Sequence, residues 1–208
     1  MKSVLISIQP KWCELIANGK KTIEVRKTRP KIDTPFKVYI YCTQGKDVLA
    51  VSKYPDKSVF LWEKSDVDRY NADMVRNGKV IGEFLCDHIM RHCEMANADI
   101  AEQQSRVKRE KILEYANGNE VYGWHISDLV IYDKPKELGE FFKVGHSEYC
   151  KSEWEERERL RIQLDKHNEI TGDKAHLNTD SDFENILKML SPFKMKRPPQ
   201  SWCYVTEQ

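Results

Sequence analysis

The sequence has no run of about 18 apolar residues, so it offers no membrane-spanning helix. Its first residues, MKSVLISIQPKW, lack the apolar stretch and small-residue cleavage site of a secretory leader, and the chain reads as cytoplasmic. The six cysteines, Cys13, Cys42, Cys86, Cys93, Cys150 and Cys203, contain no CxxC pair. That spacing excludes a disulfide framework and the usual zinc patterns, and makes most of them reduced core thiols. Neither an internal repeat nor a low-complexity tract occurs. Net charge is also scarce: 34 basic residues face 33 acidic ones, which excludes a generic polycation that holds nucleic acid by bulk charge. What is there, 208 residues with 40% hydrophobic and 32% charged, suits one large domain or a small one with appendages.

The charge is unevenly spread. Residues 1–31 hold eight basic side chains (Lys2, Lys11, Lys20, Lys21, Arg26, Lys27, Arg29, Lys31) against Glu14 and Glu24, so this segment carries +6 and the remainder −5. An anion-binding face is expected to begin here.

The alternation of residues 4–8 predicts a strand, and Pro10 then opens a helix whose apolar positions are Trp12, Leu15 and Ile16, closed by Asn18-Gly19. Strict period two over 22–26 puts Thr22, Glu24 and Arg26 on one face and Ile23 and Val25 on the other. Further strands are predicted over 37–42, 80–90, 121–132 (one or two) and 201–206, with a short helix over 65–77 and a polar helix over 98–116. Several strands with few helices favour a mixed, barrel-like α+β domain over a doubly wound sheet. Between 143 and 194 the composition shifts. Residues 151–166 hold five basic and five acidic side chains, with the sparse apolar positions Trp154, Leu160 and Leu164 as a thin stripe, which suggests an exposed helix. Phe183, Ile186, Leu187 and Leu190 make a clearer stripe that folds back on the domain. The domain is thus expected over 1–142 plus 195–208, with 143–194 a helical insertion packed on it or projecting from it.

The segment Gly19 to Arg26 delivers a lysine, a carboxylate and an arginine within six residues at a helix-to-strand junction. Such a face can hold a base or nucleoside: a carboxylate accepts from an amino group, a guanidinium donates to carbonyl or phosphate, and an ammonium neutralises charge. The plainer reading is that Glu24 and Arg26 pair with each other on an exposed strand. Trp12, Tyr41, Trp124 and Trp202 either stack a base, for roughly 1–3 kcal/mol each, or fill the core. Ser7, Gln9 and Ser201 offer polar contacts at strand ends. Lys21 acts as base or nucleophile if desolvated in a barrel mouth, or grips a phosphate if it stays protonated, and the second is preferred. Cys86, His88, His92 and Cys93 place four zinc-type ligands close together, but on a strand His92 and Cys93 point to opposite faces. No metal and no cofactor is assigned.

In chain order, a strand, a Pro-x-Trp helix, the Gly19-x-Lys21-x-x-Glu24-x-Arg26 strand, Tyr122-Gly123-Trp124-His125-Ile126-Ser127-Asp128-Leu129 and a closing PPQSW strand resemble the ASCH domain family. This is a branch of the PUA-like superfamily of small β-barrels with bracketing helices, and the text is similar to bacterial and phage members over about 1–142 and 195–208. The resemblance implies a PUA-like mixed β-barrel and a cleft lined by Lys21, Glu24, Arg26 and Ser201, suited to RNA or a modified nucleoside. Some members bind RNA; others hydrolyse RNA or acetylated cytidine. In the small amidohydrolase branch the motif's lysine acts with a threonine three residues on and a distant glutamate; Lys21 matches, but Glu24 stands in the threonine's place. Some relatives carry a cysteine-rich, zinc-type insert before PPQSW, whereas that interval here holds only Cys150 and the charged helix. The preferred reading is an RNA- or modified-nucleoside-binding protein. The alternatives are a hydrolase with Lys21 and Glu24 as its catalytic groups, or a module that docks a protein or tRNA through 151–168.

Overall fold

The computed structural model of the chain describes residues 3–52, 58–63, 74–91, 98–143, 195 and 197–207. The helices expected within 144–194, and residues 65–73 of the helix expected over 65–77, lie outside them.

All six residues of β1 (Ser3–Ile8) are buried, which a strand achieves only when both its faces are covered. Val4, Ile6 and Ile8 enter one core, and Leu5, pointing the other way, enters a second. β1 pairs in parallel with β3 (Phe36–Cys42), and α1 (Pro10–Ala17) and β2 (Ile23–Arg26) lie in the long connection that a parallel pair requires. On its other side β1 pairs antiparallel with the closing strand β11 (Trp202–Glu207), Ile6 opposite Trp202. With β6 (Val80–Cys86), β9 (Ser127–Lys136) and β10 (Phe141–Lys143) these form a six-stranded sheet ordered β10-β11-β1-β3-β6-β9. A three-stranded sheet is ordered β2-β8-β7, with β8 (Tyr122–His125) central and β7 (Ile89–Met90) at the edge. The hairpin of β4 (Asp47–Val51) and β5 (Val59–Glu63), which the sequence reading did not anticipate, packs beneath α1.

The first core lies between the two larger sheets and α1, where Phe36, Ile40, Phe84, Trp124 and Tyr204 meet. Fully buried Trp124 sets its ring edge to face on Phe36, with centroids 5.9 Å apart. The second core covers the opposite face of the six-stranded sheet and gathers Leu5, Tyr39, Tyr41, Phe141, Met195 and Val205.

The α+β character holds, with many strands and few helices, but among the described residues the strands form separate sheets rather than one closed barrel. The chain changes sheets at short corners. The strand expected over 80–90 ends at Cys86; Asp87 turns aside to bond His125, and Ile89–Met90 joins the other sheet. β8 and β9 are parted only by Ile126, whose N–H donates to the Thr22 carbonyl. Such corners break the continuous ladder that closure needs. The helix expected over 98–116 is likewise two, α2 (Ala98–Ser105) and α3 (Arg109–Ala116). Between them Arg106 is left-handed at φ 58, and the Ser105 hydroxyl accepts from the Val107 N–H at 3.2 Å. Near the end of 65–77 the backbone is strand-like, Val75 bridging Ala50. No helix among the described residues is long and apolar enough to cross a membrane.

Candidate functional site

A strand that alternates polar with apolar side chains ordinarily gives its polar face to water. β2 does not. The α2–α3 hairpin covers its apolar face, Val25 packing against Ala101, Ile112, Ala116 and Val121. The polar face therefore turns inward, and Lys21, Glu24 and Arg26 are only 2%, 6% and 8% exposed.

The three groups form one row. Lys21 Nζ stands 3.3 Å from Glu24 Oε2, and Arg26 Nη2 stands 2.9 Å from Glu24 Oε1. Arg26 Nη2 also donates to the Ser7 carbonyl at 2.6 Å, and Nη1 reaches Ser201 Oγ at 3.4 Å. Lys21 Nζ donates to the Ser105 carbonyl at 2.7 Å and lies 5.2 Å from the centroid of the Trp12 ring. Glu24 and Arg26 do pair with each other, as the plainer reading held, but in the interior rather than on an exposed strand. Two cations share one carboxylate, so the ionised cluster carries one positive charge in excess. Burial pulls the Lys21 pKa below its usual 10.5; Glu24 opposes that shift and Arg26 adds to it. Arg26 Nε is buried without a hydrogen-bond partner.

The other sequence candidates are distributed around this row. Ser7 contributes its backbone carbonyl, its own hydroxyl being donated to the Pro199 carbonyl at 2.6 Å. Ser201 is joined to Ser7 through their backbones, Ser7 N–H donating to the Ser201 carbonyl. Trp12 is half-buried beside Lys21, with Lys11 Nζ over its ring as well, 5.1 Å from the centroid. Trp202 is half-buried, donates from Nε1 to Thr28 Oγ1 at 2.9 Å and packs on Trp124 with centroids 5.8 Å apart. Trp124 itself is sealed in the core, so no base can reach its face. Gln9 is exposed just before α1. Tyr41 packs on the opposite face of the six-stranded sheet, with Leu5 and Tyr39, and is not brought to the row.

Sequence reasoning missed two neighbours. The Ser105 carbonyl comes from 84 positions away, and nothing local to either residue signals it. The Cys13 thiol lies near Glu24 and Arg26; burial, the neighbouring Cys42 and the Glu24 charge hold its pKa well above the usual thiol value, so it stays a neutral thiol. Cys86 is buried and its thiol donates to the His88 carbonyl at 3.5 Å, while His125 Nδ1 and Asp87 Oδ1 are 2.7 Å apart. Among the described residues no three His, Cys, Asp or Glu side chains gather as metal ligands, and His92 and Cys93 lie outside those residues.

Among solved structures, the chain is similar to ASCH from Zymomonas mobilis, at TM-score 0.44 and 16% identity over 65% of this chain and 73% of that one. A tyrosine-to-phenylalanine mutant of the same protein gives TM-score 0.44 and 16% identity, over 66% of this chain and 77% of that one. A serine-to-alanine mutant gives TM-score 0.49 and 14% identity, over 98% of this chain and 88% of that one. No curated protein matches the chain. Residues 6–135, which hold the Lys21-Glu24-Arg26 row and the strands that frame it, match the ASCH domain, and the chain belongs to that family.

Proposed function

We propose that the chain is a PUA-like, cytoplasmic protein of bacterial or phage type that binds RNA or a modified nucleoside at Lys21, Glu24, Arg26 and Ser201, with the half-buried Trp12 and Trp202 at the margin. The observation that supports this most is the excess positive charge of a buried cluster. An uncompensated charge away from water is costly, and a phosphate or a polarised base carbonyl offsets it. The donors suit such a ligand, since the Arg26 guanidinium keeps its Nε unpartnered. Glu24 retains lone pairs beyond its two cations and can accept from an exocyclic amino group. Membership of the ASCH family adds weight to a nucleic-acid ligand.

Titration calorimetry with single-stranded RNA tests the reading. Arg26→Lys keeps the charge but loses the planar fork, and is expected to weaken binding at least tenfold, about 1.4 kcal/mol, while Lys46→Ala leaves the isotherm unchanged. An isotherm unaffected by Arg26→Lys overturns it.

A second reading, a hydrolase that uses Lys21, is favoured by the burial that lowers the lysine's pKa towards the range of a base or nucleophile. Incubation with single-stranded RNA and with acetylated cytidine separates the two. Turnover lost in Lys21→Ala and kept in Lys46→Ala establishes the hydrolase; affinity without turnover establishes the binder.

A further inference from the structure

The row does not stop at Arg26. In the β2–β8 ladder Arg26 lies directly opposite Tyr122, which brings their Cβ atoms to about 4.5–5.5 Å. Tyr122 packs partly against the same core as Trp124 and Trp202, and its hydroxyl donates to Glu120 Oε2 at 2.5 Å. Arg29, just beyond β2, and Arg91, just beyond β7, both act electrostatically on that hydroxyl. On the other face, Lys27 Nζ sits 4.8 Å over the ring of Tyr115, which is 42% exposed on α3. Thr28, between Lys27 and Arg29, is held to the closing strand by the Trp202 indole.

Among the described residues, the basic surplus of the first segment, residues 1–31, is therefore not cancelled by its own acids. Of its two acids, Glu14 pairs with Lys20 and Glu24 is spent within the buried row. Lys27 and Arg29 are exposed, and neither pairs with a carboxylate among the described residues. Cations interleaved with accessible aromatic rings are the surface that tracks a single-stranded nucleic acid, phosphates on the cations and bases on the rings. An acidic peptide would use the cations and leave the rings idle.

We infer that the end of the edge strand β2, with Arg29 and Tyr122 on the side of the row and Lys27 and Tyr115 on the other, forms a docking edge for the backbone of a single-stranded RNA, one nucleotide of which occupies the Lys21-Glu24-Arg26 row. This rests on the reading of that row as a nucleotide-binding site, and it makes the ligand a strand rather than a free nucleoside.

Fluorescence anisotropy of the full chain with a labelled oligoribonucleotide of about eight nucleotides tests it, a length within the span of common single-strand sites. Affinity is measured from 50 to 200 mM salt, with cytidine 5′-monophosphate and polyglutamate as competitors. For Lys27→Ala/Arg29→Ala the slope of log affinity against log salt is expected to fall by about 1.4, since each phosphate contact with a single strand contributes about 0.7. Competition by the monophosphate is expected to stay as in the wild type. Charge reversal, Lys27→Glu/Arg29→Glu, is expected to remove strand binding further, and the melting curve checks that either variant is folded. An unchanged slope overturns the surface, as does a monophosphate that binds as tightly as the strand or polyglutamate that competes as well as RNA. If the monophosphate binds and the slope is unchanged, the surface falls and the site reading stands; if the wild type binds neither ligand, both fall.

Discussion

Glu24 holds two cations at once, so the three members of the buried row are not equivalent to substitution. Glu24→Gln leaves Lys21 and Arg26 without a counter-charge and is expected to cost about 3–5 kcal/mol in urea denaturation, the range for a broken buried ion pair. Lys21→Met removes the surplus charge and leaves a balanced Glu24–Arg26 pair, so its loss is expected to be under about 1 kcal/mol or a gain. Equal losses in the two variants would refute the charge argument. The same lysine sets a pH dependence. Its folded pKa lies below 10.5, its unfolded value, so in the window beneath 10.5 the unfolded chain binds a proton that the folded chain has released. Stability there rises with pH. Denaturation free energy of the wild type, compared with Lys21→Met, is expected to shift in the wild type's favour as pH approaches 10.5; a constant difference would mean that burial does not tune this lysine.

At the scale of elements, the β6–β9 contact depends on the absence of a side chain. A Cβ on Gly82 would run into the Val130 carbonyl and the Ile131 backbone, where the register between the two strands shifts. Gly82→Ala is expected to cost about 1–3 kcal/mol by forcing β9 outward, read as a lower denaturation midpoint at unchanged slope. Elements with strong local signals were legible in the sequence. Pro10 and Asn18-Gly19 bound α1, and period two marks β2, because both signals are set within a few residues. Interruptions were not legible. The 98–116 segment breaks where the Ser105 carbonyl accepts from Lys21 and Arg106 Nε donates to the Lys20 carbonyl, partners that local propensity does not contain. The 80–90 segment breaks at Asp87 for a comparable reason, its carboxylate being taken by His125.

On the scale of the molecule, the two ends of segment 144–194 are held together: the Met195 N–H donates to the Phe141 carbonyl at 3.0 Å, and both side chains join the second core. A short flexible linker can therefore replace much of the segment. Replacing 146–170 is expected to leave the melting temperature nearly unchanged, whereas deleting 181–190, with Phe183, Ile186, Leu187 and Leu190, is expected to lower it, each side chain contributing roughly 1.5–3 kcal/mol when buried. Equal losses would mean the segment packs as one unit. By itself the sequence determined the chemistry of the candidate site, a glutamate and an arginine on one strand face with a lysine just before the strand and a basic surplus around them, because residue type and a period of two are local properties. It also carried the α+β class and the motifs of the ASCH family. Only the tertiary structure decided that the polar face of β2 points inward. That choice was made by Val25, Ile112 and Val121 packing across the strand, and by carbonyls from Ser7 and Ser105 that meet the cations there. Burial depends on what covers a face, and the residues that cover the apolar face of β2, Ala101, Ile112, Ala116 and Val121, are far along the chain from the strand they cover.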